Sequence, residues 1–233
     1  MKQVALFGLI LLPVAAGAQL GTWNLINLQQ QLNKKWTAFG EVQLRSLRLY
    51  NEFHYYEYKG GMSYNFNRQV AAQVGLGNYD TYRPGGNFKT PMLNDEFRTW
   101  VQLRIKHELG RFQMEHRYRA EQRWTQDGYR NRFRYRTQVL LPFRNKTGKE
   151  NGWYTVAWNE IFFTNLPPYF ERNRVFAGAG HEFSNHLTVQ AGYLYQFDYR
   201  LTDEIGRDFL QLSLQYQLPW RKSKTAGVQP VDQ

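Results

Sequence analysis

In "EHRYRAEQRW", residues 115–124, every second position carries a charge: Glu115, Arg117, Arg119, Glu121 and Arg123. The same spacing places Glu96, Arg98, Arg104, Lys106 and Glu108 on one parity of "EFRTWVQLRIKHEL". Arg132, Arg134 and Arg136 share a parity in "RNRFRYRTQVLLPF". Carboxylates and guanidiniums gathered in this way can pair through charge-assisted hydrogen bonds, or hold an incoming phosphate or carboxylate. Nine of the thirteen are basic and four acidic, so the surplus favours an anion. A second set, His181, Ser184, Asn185 and His186 in "GHEFSNH", would offer a base and a nucleophile if His and Ser came within hydrogen-bond reach. His54, His107 and His116 show no metal-ligand spacing. The chain has no cysteine, which excludes disulfides and thiolate metal sites. No metal and no cofactor is expected.

Charge at alternate positions belongs to a strand, whose side chains point to opposite faces in turn. On a helix the same spacing would smear charge around the whole circumference. The period of two recurs along the chain. Val42 and Leu44 alternate with Glu41, Gln43 and Arg45; Tyr58, Met62 and Tyr64 with Glu57, Lys59 and Ser63; Val101, Leu103 and Ile105 with Gln102, Arg104 and Lys106. Eleven such segments are read, at about 22–32, 36–48, 54–66, 69–82, 95–109, 111–124, 131–143, 152–164, 172–183, 186–200 and 207–220. Many are twice the ~5–6 residues usual in globular strands and match the ~9–11 a tilted strand needs to cross hydrocarbon. Tight turns ("NKK", "NFNR", "LGR", "FSNH") alternate with longer connections ("YDTYRPGGNFKTPMLND", "TQDGYR", "NLPPYFER", "RLTDEIGR"), and "RNKTGKENG" is a longer linker where a short turn is expected. Short turns at one end and long loops at the other describe an outer-membrane barrel.

Composition bounds the setting. The 233 residues carry a formal charge of +11, and 17% of them are aromatic. A mean hydropathy of −0.66 excludes a helical membrane protein but not a barrel, which shows lipid only alternate residues. "MKQVALFGLILLPVAAGAQ" has Lys2, an apolar run from Val4 to Ala16 and the small-residue motif Ala16-Gly17-Ala18, the layout of a secretory signal peptide cleaved after Ala18. Export turns the basic charge away from nucleic acid and toward lipid phosphate or an anionic solute.

The expected fold is all-β: a transmembrane, antiparallel, up-and-down barrel of ten to twelve strands over residues 19–220, after a signal peptide at 1–18 and before a flexible basic tail at 221–233. Strand parity stays open, because eleven segments sit awkwardly with the even number usual in single-chain bacterial barrels. Trp23, Trp36, Tyr64, Phe66, Trp124, Phe143, Trp153, Tyr154, Tyr199 and Trp220 fall near strand ends, where amphipathic rings mark a water–lipid boundary. Arg221, Lys222 and Lys224 follow as a water-side anchor.

"EHRYRAEQRW…RNRFRYRTQVLLPF", "WYTVAWNEIFF", "NRVFAGAGHEF" and "AGYLYQF" resemble an uncharacterised bacterial family, domain of unknown function 2490, over roughly residues 22 to 218. The resemblance implies an outer-membrane β-barrel in a Gram-negative cell and implies no activity or catalytic residue. "GHEFSNH" is similar to the His-x-Ser-Asn arrangement of outer-membrane phospholipases, but Ser184 lies three positions after His181 where that pattern has an offset of two. A regular strand would send them to opposite faces, and Ser-Asn-His reads as a tight turn.

With the apolar parity in lipid, all thirteen charged residues of the three charged segments are expected to line the lumen; an outward base at mid-membrane would cost ~2–4 kcal/mol. Glu–Arg pairs can then plug the interior, or the surplus arginines can leave a path for small anions. The expected function is a non-enzymatic, structural or envelope-integrity barrel, with an anion channel second and a lipid-modifying enzyme third. Glu160, where "AWNEIFF" interrupts the alternation, is either a lumen carboxylate turned inward through a bulge, the favoured expectation, or a strand-end residue near the loop. The "RPGGNFKTP" loop is a surface turn that could meet a glycan or a neighbouring protein. Lipid is the expected partner, and partner proteins stay unknown.

Overall fold

The computed structural model describes residues 19–89, 91–144, 148, 150–199 and 204–219. The segment 1–18, read from the sequence as an export signal, Trp220 and the basic tail lie outside the described residues. Eleven strands form one closed barrel: β1 (Leu20–Gln31), β2 (Trp36–Arg48), β3 (Asn51–Asn65), β4 (Val70–Tyr82), β5 (Met92–Leu109), β6 (Phe112–Thr125), β7 (Gly128–Arg144), β8 (Glu150–Thr164), β9 (Phe170–Glu182), β10 (Leu187–Asp198) and β11 (Ile205–Leu218). All eleven segments of alternating polarity are in the wall.

Consecutive strands pair antiparallel, but β1 and β11 pair parallel, from Leu20 opposite Asp208 to Gln30 opposite Leu218. The barrel is therefore mixed, not wholly antiparallel. An odd number of strands that alternate in direction leaves the first and last pointing the same way. A closed barrel of eleven must contain one parallel seam, and its two chain ends must emerge at opposite ends.

One end carries the connections 32–35, 66–69, 110–111, 145–149 and 183–186; the other carries 49–50, 83–91, 126–127, 165–169 and 199–204. The second end is less consistently long than its sequence suggests. "TQDGYR" closes as a two-residue turn because β6 and β7 continue into it. Loop 83–91 folds back onto the start of β3. Asn87 Oδ1 accepts from Phe53 N at 2.7 Å, Phe88 N donates to Phe53 O at 3.2 Å, and the Phe88 ring packs on Tyr56 and Tyr82.

The outward parity is apolar, with Ile26, Leu28, Val42, Tyr58, Val74, Leu76, Val101, Phe133 and Val175 all exposed. The inward parity is buried and divides into two halves. From β2 to β7 it is charged. From β8 through β11 to β1 it carries an apolar core of Trp23, Tyr154, Val156, Trp158, Phe176, Leu194 and Phe209, beside buried Glu160, Arg174, Gln196 and Asp198. Trp23 and Tyr154, expected at a boundary girdle, belong to this interior, whereas Trp36, Phe66, Trp124, Phe143 and Trp153 are exposed. Glycines make room for the rings. A Cβ on Gly75 would lie 2.3 Å from the Trp100 ring, and one on Gly180 would lie 2.3 Å from Tyr154.

Candidate functional site

The lumen is the site, built from the charged inward face of β2–β7 and the carboxylates that reach it from β8–β10. Glu96, Arg98, Arg119, Glu121, Arg123 and Arg132 are buried. Arg104, Glu115, Arg117, Arg134 and Arg136 are half-buried on the same inner surface. Lys106 and Glu108 are exposed toward the 110–111 turn. Lys106 still comes within 3.7 Å of Glu115, but Glu108 sits at the rim and does not join the lumen network expected of it.

Glu121 is the densest node. Its side chain is fully buried, and it accepts from Arg132 Nε at 2.7 Å and Arg134 Nη1 at 2.6 Å. Glu96 accepts from Arg98 at 2.7 and 2.8 Å, and from Arg123. Glu160 accepts from Arg134 Nη2 at 2.9 Å and from Arg117, reaching across from β8 to β6. Glu160 is inward without a bulge. β7 and β8 pair without interruption from Arg132–Thr164 to Pro142–Tyr154, so the regular alternation Tyr154, Val156, Trp158, Glu160, Phe162 carries it inside. The break in sequence pattern arises because this face of β8 is aromatic, not because its backbone is irregular.

Three further groups complete the network and were not among the candidates. Glu171 on β9 bridges Arg123 at 3.1 Å and Arg132 at 3.0 Å. Glu57 and Glu41 hold Arg45 and Lys59 on the opposite wall. Asp198 takes Arg172 and Arg207. Glu41, Arg45, Glu57 and Lys59 were legible as inward by parity, but nothing in the linear order says that strands so far apart share one cross-section. Among the described residues, fourteen bases and eight carboxylates take part in the lumen ion pairs, an excess of six positive charges.

Guanidiniums also stack on the aromatic half. The Arg45 guanidinium carbon lies 3.4 Å from the centroid of Trp23 and 3.9 Å from that of Tyr55. Phe162, fully buried, is faced by Arg134 at 4.5 Å, Arg174 at 4.7 Å and Arg132 at 5.4 Å. Ring faces attract such cations most strongly when both are desolvated. The resulting layer crosses the lumen and leaves a cavity of about 260 Å³ on the long-loop side and one of about 450 Å³ on the short-turn side. Both end against Trp23, Gln43, Lys59, Arg134 and Arg174.

The "GHEFSNH" residues form no His–Ser pair. Ser184 Oγ accepts from the backbone N–H groups of His186 at 3.1 Å and Leu187 at 3.2 Å, which is a turn motif. His181 packs its ring against Trp153 and Phe183. Among the described residues no group of three or more His, Asp or Glu is placed to hold a metal ion.

A family model described as "Protein of unknown function (DUF2490)" matches residues 20–207, from the first residue of β1 into β11. No curated protein matches the chain, and no solved structure does.

Proposed function

The chain belongs to the family of proteins of unknown function DUF2490, and we propose that it is a non-enzymatic barrel of the Gram-negative outer membrane whose lumen is braced shut in an envelope-structural role. Four features support the membrane setting. The outward face is apolar, the strands run 12–18 residues, aromatic side chains are exposed near strand ends, and the N-terminal segment reads as an export signal. In this setting the short turns face the periplasm.

The observation that carries the closed-lumen reading is the layer of stacked guanidiniums between the two cavities. Trp23, Arg45, Tyr55, Glu121, Arg134, Phe162 and Arg174 meet there from seven different strands. A water-filled pore would keep its arginines hydrated; here they are sandwiched between rings and carboxylates. Planar-bilayer recording on the refolded mature chain tests this. Silence is expected, and steady ohmic conductance overturns the closed lumen.

A second reading, a narrow anion channel, is favoured by the excess of six bases in the lumen. Its signature would be a reversal potential set by chloride across a KCl gradient.

A further inference from the structure

The short-turn cavity contains a row of charge that bracing leaves unexplained. Arg104 on β5, Arg117 on β6 and Arg136 on β7 stand directly opposite one another across two strand pairs. Like charges in register are destabilising, and a purely structural wall would alternate their signs. The adjoining acids are few. Glu115 lies 3.3 Å from Arg136, 3.7 Å from Lys106 and 3.9 Å from Arg104, while Glu160 serves Arg117, Arg134 and Arg174. Arg134 is also held by Glu121, and the lining of the cavity as a whole has eight bases against four carboxylates, Glu41, Glu115, Glu160 and Glu182. Arg119, next along β6, gives Nε and Nη2 to the amide oxygen of Gln102 at 2.8 and 2.7 Å.

Donors are also left over. Arg117 Nε, Arg136 Nε and Trp100 Nε1 are buried without a hydrogen-bond partner, and all three residues line this cavity. Trp100 itself is only 3% exposed. A buried donor left unmade costs ~1–3 kcal/mol, and these three belong to side chains that line one cavity, where a small turn of each would bring it to an acceptor taken up there. The rest of the lining is rich in amides, with Gln29, Gln113, Gln138, Gln190 and Gln215 toward the mouth and the Trp158 and Tyr154 rings on the far wall. Amides both donate and accept, which suits hydroxyl groups. At about 450 Å³ the space is in the range of small-molecule sites.

We propose that this cavity binds a small hydroxylated anion, a sugar carrying a phosphate or carboxylate. The Arg104–Arg117–Arg136 row holds the anionic group, and the glutamine amides hold the hydroxyls. The floor of the site is the stacked layer, so the proposal rests on the closed-lumen reading for its blind-ended shape.

The test is calorimetric titration of the full mature chain, refolded in phosphatidylcholine vesicles, with glucose 6-phosphate, glucuronate, glucose and inorganic phosphate. Saturable binding of at least one sugar anion is expected, with inorganic phosphate at least tenfold weaker and glucose weaker still. Arg104→Gln removes a base that is partly exposed and weakly paired, so the barrel should fold; affinity should fall about tenfold. Arg207→Gln, on the other cavity, should leave it within twofold. Absence of saturable binding, equal binding of phosphate and sugar phosphate, or undiminished affinity in Arg104→Gln each overturns the proposal. Conductance read on the same preparation separates the two readings. Binding by a conducting barrel sinks the closed lumen alone, and a silent barrel that binds nothing sinks this site alone.

Discussion

The guanidinium of Arg174 on β9 lies between two rings, 4.7 Å from the centroid of Trp23 on β1 and 4.7 Å from that of Phe162 on the neighbouring strand β8. One side chain thereby ties the β1 side of the parallel seam to the β8–β9 wall. Phe162 carries the larger share of this contact, since Arg132 and Arg134 also face it. Phe162→Ala should cost about 3–5 kcal/mol in equilibrium unfolding from vesicles, the range for a buried aromatic. It should also admit measurable conductance where the parent is silent. An unchanged unfolding midpoint would mean that the layer is not a brace.

Removing a carboxylate at the centre of the network should matter more than removing one at its edge. Glu121→Gln removes one buried ion-pair partner from each of Arg132 and Arg134, leaving them to Glu171 and Glu160, and should cost about 3–5 kcal/mol. Glu115→Gln, whose closest base is 3.3 Å away and whose partners Arg104 and Lys106 are partly hydrated, should cost about 1 kcal/mol. Denaturant unfolding of the two variants side by side gives the comparison, and equal losses would contradict this hierarchy.

In the proposed outer-membrane setting, adjacent residues on β5 report which face meets lipid. Leu103 is outward, paired with Ala72 and Tyr118, and Arg104 is inward. Leu103→Arg should lose about 2–4 kcal/mol and most of its folding yield in lipid vesicles. Arg104→Leu should fold nearly as well as the parent. Similar yields would reverse the assigned faces.

Two strand glycines should respond oppositely to one methyl group. At Gly75 a Cβ would meet the Trp100 ring at 2.3 Å, whereas at Gly40 it meets nothing within 4 Å. Gly75→Ala should destabilise by about 1–3 kcal/mol through overpacking. Gly40→Ala should stay within about 0.5 kcal/mol of the parent, as surface substitutions do. Thermal unfolding in detergent separates them.

The odd strand count has a topographic consequence. An epitope placed before Leu20 and one placed after Leu218 should be accessible from opposite faces of the membrane. Protease protection on intact cells reads this directly. Labelling of both from the same side would rule out the eleven-stranded closure.

How much of this was legible in the linear chain depends on whether it was local. Strand identity and the facing of Arg117, Arg119 and Glu121 follow from the period of two, which is a property of neighbouring residues, whereas the strand number stays open at ten to twelve until the sheet closes. Glu160 shows the limit. Its parity was regular, but an aromatic inner face on β8 hid the regularity from a reading that assumed polar-in and apolar-out. Trp23 and Tyr154 were assigned to a boundary for the same reason, because rings near strand ends look alike whether they face lipid or pack in the interior.

By itself the sequence determined that the chain makes long, two-faced strands and that charge shares one face, because side-chain direction on a strand needs no tertiary information. Only the closed structure decided the parallel seam, the split of the lumen into charged and aromatic halves, and which acid meets which base. Those depend on distances between strands many positions apart. Glu171 reaches Arg123 across 48 residues of chain because closing the sheet brings β6 and β9 to one interior, and no local pattern encodes that meeting.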